Sequence, residues 1–387
     1  MALFNTPALD DREVAVVAKI EQLKGQLGYL VDSTSARWQG LLRRNTFARA
    51  IQGSNSIEGY HVSVEDAVAA VEGAAPMDAT TESWRAVLGY RSAMTYVMQM
   101  AKDPHARLTA ETLRSLHFMM MEYDMDKKPG QWRPGVVYVR REPTGEIVYE
   151  GPPADQVPDL IDELVESLQL TDVHPRISAA LAHLNFVMIH PFKDGNGRMA
   201  RCLQTLVLAK ATGTLHPVFS SIEEYLGRNT PEYYAVLGAV GAGAWHPERD
   251  PHPWVRFCLT AHFRQATTLL RRSREYEQLW NMMEALLKQA GLPERIGLAL
   301  HDAAMGLRVR NPTYRTAAEV SDQVASKDLK AAVAMNFLIP KGEKRGRYYE
   351  ASPMLLGQRK LFHEPGAVPD PFDDPPTAPQ EERNRSR

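Results

Sequence analysis

The chain has 387 residues, of which 44% are hydrophobic and 24% charged, and its formal net charge is −2. These values are typical of a soluble globular protein long enough to bury a sizeable core, and they exclude a global basic field for nucleic acid. Cys202 and Cys258 lack metal-ligand spacing, and charged side chains occur throughout the first thirty residues. We therefore expect a cytoplasmic protein without a signal peptide, and no apolar run is long enough to predict a membrane span.

Apolar side chains recur every three or four residues over most of the chain, which predicts a mainly α-helical fold. The first helix is expected from Asp10 to about Leu30, after a frayed segment at 1–9, and a second helix is expected to reach Ile51. Ser63, followed three residues later by an aspartate, is typical of an N-cap and begins a third helix. Further helices are predicted over 81–101, 109–123, 155–168, 174–189, 197–211, about 230–240, 252–273 and 274–290.

The alternation of Val137, Tyr138 and Val139 differs from the helical spacing elsewhere. A Glu-Pro-Thr-Gly sequence follows as turn chemistry, and a second β-prone run covers 147–149. This order predicts a short β-hairpin at about 135–151.

The region from Arg315 to Tyr349 has the order helix, helix and two short strands, which predicts a winged helix-turn-helix. Ser326 is expected to cap its second helix. Local positive charge comes from a set of basic residues, Lys327, Lys330, Lys341, Lys344, Arg345 and Arg347. Such charge suits a DNA backbone, but winged helices also dock proteins or form dimers, and DNA binding is not favoured. The proline-rich segment from His363 onward cannot bury a core and is expected to be disordered.

The richest chemistry lies in the twelve residues from His190 to Arg201. Pro191 disfavours helical backbone at the residue before it, so one helix should end near Ile189, and a new helix should begin at Asn196 or Gly197. A glycine-rich turn that leads into a helix N-terminus presents free N–H groups to an anion.

The side chains of this stretch complete a phosphate site. Arg198 and Arg201 lie three residues apart on one face and can grip phosphate oxygens. Asp194 is a hard oxygen ligand suited to Mg²⁺, and His190 could accept a proton from an attacking hydroxyl. Together these residues are the parts needed to transfer a phosphate-containing group.

The stretch resembles the signature of the Fic family, His-Pro-Phe-x-(Asp/Glu)-Gly-Asn-Gly-Arg-x-x-Arg, at every fixed position. The resemblance implies an all-α Fic core that transfers AMP from ATP to a protein hydroxyl, with His190 as general base and Asp194 as the Mg²⁺ ligand. The residues that it assigns to ATP and its phosphates are Lys193, Gly195, Asn196, Gly197, Arg198 and Arg201. A kinase branch of the fold carries a lysine where this chain has Gly197, which favours nucleotidyl transfer.

Two further segments resemble parts of the same family. Leu116-His117 and the sequence at 129–133 resemble the segment before the family's flap, and the hairpin with Val137, Tyr138 and Val139 corresponds to that flap. An exposed edge strand could hold a target peptide by strand addition and bring a Ser, Thr or Tyr hydroxyl near His190.

Residues 54–59 resemble the family's inhibitory motif, (Ser/Thr)-x-x-x-Glu-(Gly/Asn), with Ser54, Glu58 and Gly59 at its fixed positions. Taken alone, the pattern also fits a turn and cap. The resemblance implies that Glu58 forms a buried bidentate pair with Arg201 and blocks the productive pose of the γ-phosphate.

The sequence thus predicts an N-terminal helical region at 1–105, a Fic core at 106–273, a connector helix with the winged helix at 274–362 and a tail at 363–387. The leading function is a self-inhibited protein adenylyltransferase that uses ATP and Mg²⁺. AMP removal, transfer from another phosphate-containing donor, and a nucleotide-sensing DNA-binding regulator are the alternatives. The target protein is unknown, and self-modification and a homodimer stay open.

Overall fold

Helices make up most of the computed structural model, which describes residues 3–32, 37–141, 143–170, 172–212, 216–343 and 346–373. The N-terminal helices are α1 (Asp11–Asp32), α2 (Arg37–Ile57), α3 (Val64–Glu72) and α4 (Thr81–Lys102). The predicted cap at Ser63 is confirmed, because its side chain accepts from the N–H of Asp66. Helix α2 runs six residues beyond its predicted end at Ile51, so the start of the 54–59 motif is helical.

The central helices surround the stretch at 190–201. They are α5 (Ala110–Met121), α6 (Val157–Ser167), α7 (Pro175–Ile189), α8 (Asn196–Thr212), α9 (Glu223–Arg228) and α10 (Thr230–Gly241). Helix α8 packs against α7 on one side and α4 on the other. The predicted hairpin is present between α5 and α6 as the antiparallel strands β1 (Tyr138–Arg141) and β2 (Glu146–Glu150), with a bulge between Val139 and Arg140.

The two helices predicted at 252–273 and 274–290 are one continuous helix, α11 (His252–Gln289). The separation at 273–274 was wrong because nothing breaks the helix there. After Pro253 the segment contains no proline or glycine, and buried positions such as Leu270, Ser273 and Tyr276 continue the helical spacing. The domain boundary predicted at 274 therefore falls inside a helix.

The C-terminal region follows the predicted order of two helices and a hairpin. Its elements are α12 (Ile296–Ala304), α13 (Asn311–Ala318), α14 (Asp322–Ala334), β3 (Leu338–Lys341), β4 (Tyr348–Ala351) and α15 (Pro353–Lys360). Val309 adds a bridge to Tyr349 on the outer edge of β4. Helix α14 is capped by Ser321 and not by Ser326, whose hydroxyl accepts from Asn311 within the module. The predicted wing charges Lys344 and Arg345 lie outside the described residues.

Both chain ends make contacts that the sequence analysis did not expect. Leu3 and Phe4 are buried, and the Phe4 N–H donates to Asn185. Residues 363–373 also pack on the helices, since Phe372 lies against the guanidinium of Arg256. A disordered tail therefore cannot begin at His363; residues 374–387 lie outside the described part.

The apolar core is shared between the regions. One cluster of buried residues extends from α2 and α4 through α8 into α12 and α14. Cys202 and Cys258 are buried free thiols. Among the described helices, none combines the length and apolar character needed to cross a membrane.

Candidate active site at the α7–α8 loop

The loop between α7 and α8 has the predicted boundaries, with α7 ending at Ile189 and α8 beginning at Asn196. His190 caps α7 in the left-handed region at φ +53°, and its N–H donates to the Phe186 carbonyl. The buried Asn196 side chain holds the loop, because it accepts from the Phe192 N–H and donates to the Phe192 carbonyl, both at 2.9 Å. The amide of Asn196 is thus occupied by the loop itself.

His190 is oriented as a base. Its Nδ1 lies 3.1 Å from the Val187 carbonyl oxygen, which can only accept, so Nδ1 carries the proton and Nε2 is the basic nitrogen. Burial lowers the pKa of His190 from its ordinary value of 6.5. The imidazole is therefore neutral at neutral pH, the state that a general base requires.

Asp194 is held as an ionised carboxylate. One oxygen lies 2.9 Å from Lys127 Nζ, and the other accepts from the Gly195 N–H at 2.6 Å. Burial opposes ionisation, but the hydrogen bond and charge of Lys127 outweigh it and lower the pKa of Asp194. Among the described residues no cluster of three potential metal ligands exists. A single carboxylate still fits Mg²⁺, which proteins hold through one or two carboxylates with the remaining positions on phosphate and water.

His117 supports the loop from α5. Its Nδ1 accepts from the Gly130 N–H at 2.8 Å, so its Nε2 is protonated and donates to the Asp194 carbonyl at 2.9 Å. The ring stacks on Phe192 with centroids 3.6 Å apart. The Leu116-His117 segment recognised in the sequence thus fixes the backbone of the residue that would bind the metal.

Arg133 ties the same loop to the hairpin. Its Nε donates to the His190 carbonyl at 2.8 Å, and its Nη1 and Nη2 donate to the carbonyls of Gly135 and Pro152. Gly135 and Pro152 flank the hairpin, so the buried guanidinium of Arg133 connects the segments on both sides of the hairpin to the backbone of His190.

Arg201 is fully buried and is bound by residues of the 54–59 motif. Its Nε donates to Ser54 Oγ at 2.8 Å, and its Nη2 donates to the Ser54 carbonyl at 3.0 Å and to Glu58 Oε1 at 2.6 Å. The Ser54 carbonyl is one of the free acceptors at the end of α2, where a cation is favoured. Burial disfavours the charged guanidinium, but Glu58 outweighs this and raises the pKa of Arg201.

The predicted bidentate pair between Glu58 and Arg201 is therefore wrong in detail. Glu58 contributes one oxygen and Ser54 contributes two acceptors, because the guanidinium reaches the end of α2 as well as the carboxylate. The Glu58 side chain is 26% exposed, so the pair is not wholly buried. Gly59 at φ +83° ends the helix by turning the chain away directly after Glu58.

Gly197 lies directly beneath this contact. A Cβ at this position would collide with Glu58 Oε1 and approach Arg201 Nη1 at 3.2 Å. The glycine at the position where the kinase branch of the family has a lysine thus leaves room for the Glu58 carboxylate.

Arg198 is as buried as Arg201 but has weaker partners. Its Nη1 lies 3.3 Å from the Tyr123 hydroxyl and its Nη2 lies 3.0 Å from Met121 Sδ, while the guanidinium lies over the Tyr60 ring. Its Nε is buried without a hydrogen-bond partner among the described residues. Lys193 is exposed and donates to the Asp126 carbonyl at 2.9 Å, on the outside of the loop.

The hairpin has one open edge. The Glu150 N–H at the end of β2 donates to the Gly243 carbonyl, whereas no described strand pairs with the outer edge of β1. Tyr138 on β1 is exposed, Val139 is half-buried, and Val137 precedes the strand and accepts from the Gly151 N–H. The buried Tyr149 anchors β2 by donating to the Met188 carbonyl at 2.7 Å.

Three residues of the site carry no motif in the sequence. Lys127 pairs with Asp194, Tyr123 contacts Arg198, and Tyr233 on α10 lies 3.5 Å from Arg201 Nη1. They reach the site from other elements, and their surroundings in the sequence look like ordinary helix or loop. Only their position in the fold reveals them.

Comparison with known proteins agrees with this geometry. Residues 107–208 match the Fic/DOC family. The matching segment covers α5, the hairpin, α6, α7 and most of α8. A crystal structure of a Fic family protein from Desulfovibrio desulfuricans superposes on 90% of this chain and 98% of its own, with a TM-score of 0.58 at 23% identity. A Fic-domain signalling protein from Bacteroides thetaiotaomicron covers 66% of this chain with a TM-score of 0.51 at 22% identity. These likenesses show the Fic fold.

Curated relatives extend the comparison beyond the Fic domain. The protein adenylyltransferase fic-1 of Caenorhabditis elegans is 26% identical over 256 residues, which is 65% of this chain and 46% of the relative. The protein adenylyltransferase Fic of Nematostella vectensis is 26% identical over 226 residues, which is 55% of this chain and 46% of the relative. The chain thus spans about half the length of the curated relatives it matches.

Proposed function

We propose that the protein is an adenylyltransferase that transfers AMP from ATP to a hydroxyl of a target protein or of itself, and that Glu58 inhibits it. The observation that carries the proposal is the contact of Glu58 and Ser54 with Arg201 across the glycine-rich turn. The glycine at position 197 leaves space for this contact, because a Cβ there would collide with Glu58 Oε1.

The reaction follows from the orientation of His190. Its Nε2 takes the proton of the target hydroxyl, whose oxygen attacks the α-phosphorus of ATP. The bond to the bridging oxygen breaks, and diphosphate leaves. The N–H groups of the turn and the start of α8 stabilise the charge on the phosphates. Asp194 would hold Mg²⁺, which when bound neutralises phosphate charge.

Arg198 and Arg201 would hold the phosphate tail of ATP. In the inhibited state, Glu58 occupies Arg201 and places a negative charge where the terminal phosphate would approach. Loss of this contact frees Arg201 and turns the site on. The open edge of β1 would hold an extended segment of the target, so that its hydroxyl lies near His190.

The test compares the wild type with Glu58→Gly, incubated with ATP and Mg²⁺ and analysed by mass spectrometry. We expect the variant to gain one AMP unit at least about tenfold faster, since the change removes an interaction with a charged group worth more than ~1.4 kcal/mol. His190→Ala in the Glu58→Gly background should abolish the adduct with an unchanged melting temperature.

Two outcomes would contradict the proposal. Equal labelling of the wild type and Glu58→Gly would remove the inhibitory role of Glu58. Labelling that survives His190→Ala would remove the general base. A lysate target that loses AMP, instead of gaining it, would favour the alternative activity of AMP removal.

We also infer that residues 296–351 form a winged helix that docks on its own N-terminal region. Arg308 donates to Glu65 and to Asp78, and Arg310 donates to the Ala75 carbonyl, so these two arginines face α3 and the segment after it. Of the basic residues predicted to supply local positive charge, Lys327, Lys330, Lys341 and Arg347 are exposed in the described part. A band shift with duplex DNA that weakens as salt is raised would favour the DNA-binding alternative instead.

A further inference from the structure

A row of polar side chains crosses the apolar interior behind Arg201. Tyr233 on α10, His183 on α7, Gln204 on α8 and His262 on α11 are each at most 3% exposed. Polar groups in such surroundings destabilise the fold unless they are hydrogen-bonded. Four helices each supply one member, so the row is formed only when the bundle is assembled.

The hydrogen bonds of this row run in one direction. Arg201 Nη1 lies 3.5 Å from the Tyr233 hydroxyl, which lies 3.0 Å from His183 Nε2. His183 Nδ1 lies 2.6 Å from Gln204 Oε1, and Gln204 Nε2 lies 3.5 Å from His262 Nε2.

The donor and acceptor roles in this row follow from the chemistry of Arg201 and of the Gln204 amide oxygen. A guanidinium only donates, so the Tyr233 oxygen accepts from Arg201. An amide oxygen only accepts, so His183 carries its proton on Nδ1, and its Nε2 accepts the hydroxyl proton of Tyr233. Each group therefore has one role, and the lone pairs of the Tyr233 oxygen face Arg201.

We propose that Tyr233, His183 and Gln204 are positioning residues that hold Arg201 in place when the inhibitory helix releases it. This inference rests on the proposed function, in which Arg201 binds the phosphate tail of ATP. The other hydrogen-bond partners of Arg201 among the described residues, Ser54 and Glu58, both belong to the inhibitory motif. Tyr233 belongs to α10 and stays with the core when that motif moves.

The direction of the row depends on a neutral His183. Burial lowers its pKa to about 3, and the nearby charge of Arg201 acts in the same sense. The other titratable groups that face it are Tyr233 and, through Gln204, His262. If His183 were protonated, its Nε2 would donate to Tyr233, and a second positive charge would stand behind Arg201.

The first test removes one hydroxyl in the Glu58→Gly background. Tyr233→Phe keeps the ring over which Arg201 lies and deletes its acceptor. We expect the KM for ATP in self-labelling, and the Kd for ATP with Mg²⁺ by calorimetry, to rise about tenfold with kcat nearly unchanged. A merely structural role would instead lower the active fraction, and hence kcat, at constant KM and Kd.

Tyr225→Phe is the matched control. Both tyrosines lie 6.4 Å from the Phe257 ring, but the Tyr225 hydroxyl contacts Arg264 and not Arg201. The control should leave the KM and Kd for ATP at the values of the Glu58→Gly parent. Equal values for Tyr233→Phe and the parent would overturn the inference.

The second test changes the charge next to His183. Gln204→Glu replaces the acceptor with a carboxylate, which should raise the pKa of His183 into the range of assay. The KM and Kd for ATP should then rise as the pH is lowered from 8 to 5, and the rise should exceed that of the Glu58→Gly parent, to which protonation of the ATP phosphates contributes. Gln204→Met, which has no acceptor and no charge, should weaken ATP binding relative to the parent by the same factor at all pH values. A Kd in Gln204→Glu that changes with pH only as the parent's does would contradict the proposed hydrogen-bond row.

The tests separate this inference from the proposed function. If Glu58→Gly transfers no AMP, the proposed function fails, and the Kd for ATP still reports whether Tyr233 positions Arg201. If Glu58→Gly transfers AMP but the variants of Tyr233 and Gln204 bind ATP as the parent does, only the positioning role fails. If one of the variants Tyr233→Phe, Gln204→Glu and Gln204→Met does not fold, the other two still allow the Kd for ATP to be compared with that of the parent.

Discussion

Arg198 and Arg201 lie three residues apart at the start of α8, and both are 1% exposed, yet their surroundings differ. Arg201 donates to three acceptors of the inhibitory motif at 2.6–3.0 Å. Arg198 has a thioether, a distant phenol and an aromatic face, and its Nε has no partner within the described residues. The two arginines of the family signature thus differ: the guanidinium of Arg201 has strong hydrogen-bond acceptors, whereas that of Arg198 has weak partners.

Under the proposed function, the difference indicates where inhibition would act. Sulfur and aromatic partners are weak and yield readily to a phosphate, so the Arg198 side would be open to ATP. The Arg201 side is closed by a carboxylate and a helix end, and both come from one short motif. Under the proposed function, inhibition would need to occupy only one of the two arginines, and ATP would still reach the other.

Replacing each of the two arginines with alanine should give the largest expected difference in the free energy of unfolding. Arg201→Ala leaves the Glu58 carboxylate and the Ser54 carbonyl without their partner, so we expect a loss of about 3 kcal/mol in the free energy of unfolding. Arg198→Ala removes a guanidinium that is incompletely satisfied, so we expect a loss of about 1 kcal/mol. Urea unfolding measures both. Equal losses would mean that the two sides of the site do not differ as described.

Gly53→Ala should disturb the packing of α2, which carries Ser54, against α9. A Cβ at Gly53 would collide with the Glu223 carbonyl of α9, against which α2 packs. Overpacking of this kind costs about 2 kcal/mol, and we expect it to displace Ser54 and increase self-labelling several-fold. A Cβ at Gly40, on the same helix, would meet open space, so Gly40→Ala should neither lower stability nor increase self-labelling. Unchanged labelling in Gly53→Ala would show that the packing of α2 against α9 does not control Arg201.

Ser54→Ala should have a smaller effect than Arg201→Ala or Gly53→Ala. It deletes the Oγ acceptor of Arg201 but keeps the carbonyl and Glu58, so we expect a loss of about 1.5 kcal/mol and a few-fold increase in self-labelling. Ser56→Ala is the control, because among the described residues that hydroxyl bonds to the Gly53 carbonyl within the helix and not to Arg201. If both serine variants label alike, Ser54 does not take part in inhibition.

Local pattern was a reliable guide wherever neighbouring residues determine the structure. The ends of α7 and α8, the cap at Ser63 and the hairpin all follow from proline, glycine, cap and alternation signals. The pattern was misleading where tertiary packing decides. Helix α11 was divided although nothing interrupts it, and α12 was missed because its short apolar run has no polar face that would indicate a helix. The N-terminal segment was taken as frayed because Leu3 and Phe4 find their partners only on distant helices.

The sequence by itself determined the likeness to the Fic family, the glycine-rich turn with its two arginines, and the motif at 54–59, since each is written in residues adjacent along the chain. Only the tertiary structure decided how these parts meet. Ser54 reaches Arg201 across 147 residues of chain, and Tyr233 reaches it from α10. Lys127 reaches Asp194 from the segment after α5. Such contacts depend on how helices pack, and a buried charge selects its partners by distance in space, which spacing along the sequence does not record.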